Sequence, residues 1–148
     1  MRQKGFSLVE LLIVVAIIAI IVAIAVPNLL TSRRAAQSSA AAGDLRTINS
    51  AEIAYAAGAG KGNFGNFTEL SPDYLPSNFG TSATAYTRSG YSGAMVGPTN
   101  GVLYTVTSSP LTGVTNTSPG YFTDESGTIR VSFTGAATNT STPMGTQQ

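Results

Sequence analysis

The pattern of apolar and polar positions divides the chain into unlike parts. From Phe6 to Val26 there are 21 residues, and the only charged one is Glu10. At about 1.5 Å per residue a helix of that length reaches roughly 31 Å, enough to cross the hydrocarbon core of a bilayer. Arg2 and Lys4 precede the run, which places the N-terminus on the cytoplasmic side and the bulk of the chain beyond the membrane. Past Pro27 the pattern becomes amphipathic. Ala41, Leu45, Ile48, Ala51 and Tyr55 follow helical steps and form one apolar stripe, with Arg33, Arg34, Asp44, Arg46 and Glu52 largely off it. No further proline occurs before Pro72, so one helix is expected from about Phe6 to Ala57, near 78 Å long.

Gly58 to Gly65 stops that helix. A short helical turn is expected around Pro72, with Ser71 as its cap and Pro72 at its first position. Phe64, Phe67, Tyr74 and Phe79 are read as core residues that staple this connection to a sheet. Strand signals follow at 102–107, 120–123 and 128–133, with Asp124 to Gly127 as a turn between the last two. Ile129, Val131 and Phe133 alternate with Arg130 and Ser132, giving one buried and one wet face. Ala94 to Val96 adds a further strand before a turn at Gly97-Pro98. The expected fold is α+β: a long N-terminal helix packed on an antiparallel sheet of three or four strands. Residues 134–148 show no periodicity and read as a poorly fixed tail.

Composition narrows the chemistry. The 148 residues include no cysteine, histidine or tryptophan. The common zinc, iron–sulfur, haem and thiol chemistries lack their ligands, a Ser–His–Asp triad is impossible, and no disulfide can form. Beyond Gly58 only Lys61, Arg88 and Arg130 are basic, too few for a nucleic-acid surface. That same stretch holds 28 Ser or Thr and 14 Gly among 91 residues, with only 7 charges. The result is a low-charge, hydroxyl-rich surface. The triplets at Asn66, Asn116 and Asn139 match a glycosylation acceptor, but solubility with few charges explains the composition equally well. Asp124 and Glu125 are oxygen donors of the kind calcium prefers, yet without a regular acidic loop they read as an ordinary hairpin turn. No metal or cofactor is expected, and no enzymatic activity.

Three accounts compete for the apolar segment. A secretory signal peptide would be cut after Ala25, within a small-x-small pattern that is common in so alanine-rich a run. It would release an exported binding module or enzyme. A plain single-span anchor is the second account. Both leave Glu10 without a role, although a carboxylate inside an apolar span is costly unless neutralised or paired, or close enough to the interface to reach it. The third account rests on a resemblance. KGFSLVELLIVVAIIAIIVAIAVPNLL resembles the N-terminal signature of type IV pilins and of the pseudopilins of type II secretion. The matching features are a basic leader ending in Gly5, Phe6, Glu10 four residues later, and an apolar run to Pro27.

The resemblance covers about the first 35 residues. It implies that residues 1–5 are a leader, cut after Gly5 by a prepilin peptidase that then methylates the amine of Phe6. It implies that Glu10 pairs with the Phe6 amine of a neighbouring subunit and sets axial register, a use of a buried ion pair for specificity. Residues 6–27 would be the membrane-spanning and later filament-core half of the helix 6–57, bent or locally opened at Pro27. The small side chains from Ala35 to Ala42 suit close helix approach, although alanine's helicity alone explains them nearly as well. Residues 58–101 would form a connecting αβ loop and 102–148 the sheet and tail. The implied role is a structural subunit of a type IV pilus, held in the inner membrane as a precursor and then polymerised into an extracellular filament. The alternative is a pseudopilin. The implied partners are copies of the chain itself, the prepilin peptidase, and the assembly platform with its ATPase. The long helix holds only Phe6 and Tyr55 as aromatics, which gives electron transfer along it no support.

Overall fold

A computed structural model describes residues 5–99 and 101–145. They fall into two units, up to Arg34 and from Ala35 onward, and each is taken by itself. A single helix, α1 (Leu8–Ala57), runs through both.

In the first unit α1 is apolar on every side. No part of its apolar window is buried within the chain, and residues such as Leu8, Ile20, Ile24 and Leu29 are exposed. A helix hydrophobic all round needs a non-aqueous neighbour on all sides, either lipid or other helices.

In the second unit one stripe of α1 is buried. Ala41, Leu45, Ile48 and Ala51 are covered as the periodicity requires, and Tyr55 is half-buried. Two polar residues join them, Asn49 and Glu52. Glu52 was expected off the stripe, but it lies four residues after Ile48 and seven after Leu45, which places it on the covered face. Beyond Ala57 the helix closes on glycines. The Gly60 amide donates to the Tyr55 carbonyl and the Gly62 amide to the Ala56 carbonyl, with Gly62 at φ 93°.

A one-turn helix, α2 (Phe67–Leu70), follows. Here the sequence expectation is corrected: Ser71 ends this helix and Pro72 lies beyond it. The cap is Asn66, whose Oδ1 accepts from the amides of Thr68 and Glu69, while Glu69 Oε2 accepts from the Asn66 amide. That reciprocal capping box places the turn five residues earlier than the prolines suggested. The four aromatics of the connection do staple it. Phe67 and Phe79 are buried, with Phe67 edge-on to Tyr86, and the partly buried Phe64 and Tyr74 pack edge-on to Tyr104 and Tyr55.

The sheet has six antiparallel strands in sequential order: β1 (Ala85–Arg88), β2 (Tyr91–Thr99), β3 (Leu103–Pro110), β4 (Gly120–Asp124), β5 (Arg130–Ser132) and β6 (Thr142–Pro143). Three differences from expectation have physical reasons. The segment 58–101, read as a connection, contains β1 and β2. Gly97-Pro98 is not a turn but the point inside β2 where its register against β3 shifts, since Pro98 has no amide to give the ladder. Residues 134–145 are not a loose tail. Ala137 is buried, β6 pairs with β5, the Met144 amide donates to the Ile129 carbonyl at 2.7 Å, and Arg130 reaches the Ser141 carbonyl at 3.3 Å. Residues 146–148 lie outside the described set.

The core lies between the stripe of α1 and the inner face of the sheet, where β3 alternates buried Tyr104, Val106 and Ser108 with half-buried threonines and serine. Asn49 locks the register of helix on sheet. Its Nδ2 donates to Thr123 Oγ1 and the Gly127 carbonyl, and its Oδ1 accepts from the Tyr104 hydroxyl at 3.0 Å. The ion pair of Asp44 with Arg88 (3.5 Å) ties α1 to β1, and Arg88 also lies 4.8 Å over the Phe79 ring. Burial still pushes the Asp44 carboxyl up, outweighing Arg88.

Candidate functional site

The residues that the sequence singles out lie in the first unit. Gly5, Phe6 and Ser7 precede α1 and are exposed, so the Gly5–Phe6 peptide bond is not covered by the chain. Met1 to Lys4, including the charges Arg2 and Lys4, lie outside the described residues.

Glu10 stands in the first turn of α1, and its Oε2 accepts from the Ser7 amide at 2.9 Å. Ser7 Oγ in turn accepts from the Val9 amide at 3.3 Å. Ser7-Leu8-Val9-Glu10 thus has the S-x-x-E spacing of a capping box, with the hydroxyl on the second helical amide in place of the third. The first amides of a helix have no partners of their own, and in an apolar setting each one left bare is costly. Glu10 therefore does something within its own chain before any neighbour is considered. The sequence carried this signal in its spacing, but the resemblance directed attention to the carboxylate alone. The two roles are compatible, because a carboxylate has a second oxygen.

Pro27 lies inside α1, and the helix continues through it for thirty further residues to Ala57. Proline has no amide hydrogen, so the carbonyl one turn earlier loses its partner there. Three polar side chains next to it turn back onto the helix. Asn28 Nδ2 donates to the Ile24 carbonyl, Thr31 Oγ1 to the Pro27 carbonyl and Ser32 Oγ to the Asn28 carbonyl, at 3.0–3.2 Å. Such bonds hide polar groups in an apolar segment and load the carbonyls on one side of the helix. Arg33 and Arg34 then end the apolar stretch, both exposed.

Among the described residues no three of His, Cys, Asp and Glu come together to hold a metal ion. Asp124 Oδ1 accepts from the Ser126 amide and hydroxyl and closes the β4–β5 turn, with Gly127 at φ 72°. A shallow groove of about 390 Å³ on the outer face of the sheet is lined by Thr105, Thr107, Phe122, Asp124 and Asn139, among others.

Comparison with known proteins bears on the same segment. Residues 1–26 match the family described as the prokaryotic N-terminal methylation motif. The chain is 60% identical over 35 residues to the type IV wide pilus major component PilA4 of Thermus thermophilus, covering 24% of this chain and 27% of that one. It is 41% identical over 54 residues to the type IV major pilin protein PilA of Myxococcus xanthus, covering 36% of this chain and 24% of that one. The matches thus span about a quarter of each relative's length. No solved structure gives a significant match. In this N-terminal segment the chain is similar to type IV pilins, and the segment continues into a long helix whose second half packs on a small antiparallel sheet.

Proposed function

We propose that the chain is a structural subunit of a type IV pilus, made as a membrane-held precursor and polymerised through its apolar helix. The observation that carries this reading is the first unit of α1, apolar on every side and covered by nothing in its own chain. Bilayer and filament core are two successive environments that satisfy such a helix. A secreted enzyme or binding module has no use for it after export.

In this reading a prepilin peptidase cuts after Gly5 on the cytoplasmic side and methylates the Phe6 amine. Glu10 keeps one oxygen on its own Ser7 amide and offers the other to the Phe6 amine of a neighbouring subunit. A cation and a carboxylate that both lose water need each other, so a subunit added in the wrong register leaves both unpaired. Pro27 is the point where α1 bends or opens most readily, since one backbone bond is missing there. The partners are further copies of the chain, the peptidase, and an assembly platform with its ATPase, and the filament lies outside the cell. The role is structural and involves no catalysis. A pseudopilin would share the N-terminal segment, but the two relatives named above are both major pilus components.

The decisive measurement is the mass of the mature chain together with its N-terminal sequence. A chain starting at methylated Phe6 is expected. A chain starting at Val26 would replace this account with ordinary secretion. Electron microscopy of cells lacking the gene, with loss of a surface filament expected, then distinguishes a pilus from a secretion pseudopilus.

A further inference from the structure

Two consecutive amides at the end of the connection between α1 and α2 are held by two different glutamates. The Gly65 amide donates to Glu52 Oε2 at 2.9 Å, and the Asn66 amide donates to Glu69 Oε2 at 2.8 Å. The surroundings of the two carboxyls are opposite. Glu69 is exposed. Glu52 is completely buried at the C-terminal end of the covered stripe, and its Oε1 has no hydrogen-bond partner among the described residues.

The junction has little slack. A Cβ placed on Gly65 would lie 3.0 Å from the Tyr55 ring and 3.2 Å from the Glu69 Cβ, so the backbone is pressed against both α1 and α2. Phe64 on one side packs edge-on to Tyr104, and Phe67 on the other is buried against Tyr86. The titratable groups that act across this space are the Glu69 carboxylate from α2 and the Tyr104 hydroxyl from β3, neither of them a cation. A buried neutral carboxyl with one free oxygen costs far less than a buried carboxylate with one. Accordingly burial raises the Glu52 pKa from 4.5 to about 7, the Gly65 amide opposing and the Glu69 charge adding to the rise.

We propose that Glu52 is a proton-operated latch on the α1–α2 connection. With its proton, Glu52 holds the Gly65 amide against α1. Once the proton is lost, two carboxylates flank one backbone junction, the buried one lacks a counter-charge, and residues 58–66 detach from the end of the helix. The sign follows from the raised pKa. The closed form keeps its proton over a pH range in which the open, hydrated form has already lost it. Closure is therefore strongest below about 4.5, weakens about tenfold per pH unit up to about 7, and is constant above that.

The test is hydrogen exchange of the Gly65 amide in the full chain, solubilised in detergent. Rates are corrected for intrinsic exchange at each pH and referenced to the Val106 amide in the core. Protection of Gly65 relative to Val106 is expected to fall on the order of 100-fold between pH 4.5 and 7.5. Glu52→Gln keeps a carbonyl acceptor but cannot ionise, and its protection should be flat across that range. Glu69→Gln removes the neighbouring charge and should shrink the fall. Equal protection in the native chain at both pH values overturns the latch, as does a pH dependence that survives in Glu52→Gln. If Glu52→Gln also loses protection at Val106, the Glu69→Gln comparison decides: a fall as large as in the native chain overturns the proposal.

Discussion

The two units of α1 solve one problem, where to put an apolar surface, in opposite ways. The first carries apolar side chains around its whole circumference and leaves them exposed among the described residues. The second narrows its apolar surface to a stripe and covers it with the sheet of its own chain. Each contains one glutamate that an apolar setting would penalise, and the solutions differ in kind. Glu10 places one oxygen on the start of its helix, where the Ser7 amide donates to it; the proposed pairing with a neighbouring subunit would use the other. Glu52 has no cation among the groups acting on it and so relies on holding a proton. A carboxylate in an apolar segment thus caps its own helix in one unit and is buried against a backbone amide in the other.

This contrast can be broken most forcefully at Glu10. Glu10→Ala should leave cleavage after Gly5 intact but lower filament number at least tenfold, read by electron microscopy alongside the mass of the mature subunit. Normal filaments from that variant would mean that the carboxylate serves only to cap its own helix. Next in size is the core. Leu45→Ala should destabilise the second unit by about 2–5 kcal/mol in denaturant unfolding, whereas Val15→Ala in the first unit should leave that transition unmoved. An equal response to both would show that the first unit also stabilises the globular part. Asn49→Ala should cost about 1–3 kcal/mol, because it strands the Tyr104 hydroxyl and the Gly127 carbonyl. Gly93→Ala belongs to the same range. A methyl there meets the Tyr86 ring lying across β2, and overpacking costs about 1–3 kcal/mol. The smallest effect is expected at the cap of α2, where Asn66→Ala should cost about 1 kcal/mol with no change in filament number.

How much of this was legible in the sequence depended on the size of the repeating signal. The apolar run was plain because 21 residues carry a single charge, and the stripe from Ala41 to Tyr55 was plain because it repeats over four turns. The hairpin of β4 and β5 showed itself in alternation and a turn tetrapeptide. Strand β1 was missed, and of β2 only Ala94 to Val96 was read, for a packing reason. The inward position between Tyr91 and Met95 is Gly93, because the Tyr86 ring fills the space a side chain would take. The apolar alternation is therefore broken at its centre. At two residues β6 is too short to show any period, and α2 was displaced because prolines drew attention from the Asn66-x-x-Glu69 spacing. In the candidate site, Glu10 was conspicuous as a charge among apolar residues, while Ser7 was not, since a serine at a helix start is unremarked unless the spacing to Glu10 is read. Glu52 was missed because charge was taken to mean exposure, although its distance from Leu45 and Ile48 already placed it inside.

The sequential order of the sheet has a further consequence. Each strand bonds only to its immediate neighbours in the chain, and the widest gap between paired strands is nine residues. Topologies made of such local contacts close small loops first and search little before they find their partners. A domain of this kind, without a single cysteine, can assemble its sheet progressively from one hairpin to the next as the polypeptide emerges. It has no disulfide to form, so its native strand pairing depends on neither an oxidant nor a disulfide isomerase and is the same under reducing and oxidising conditions.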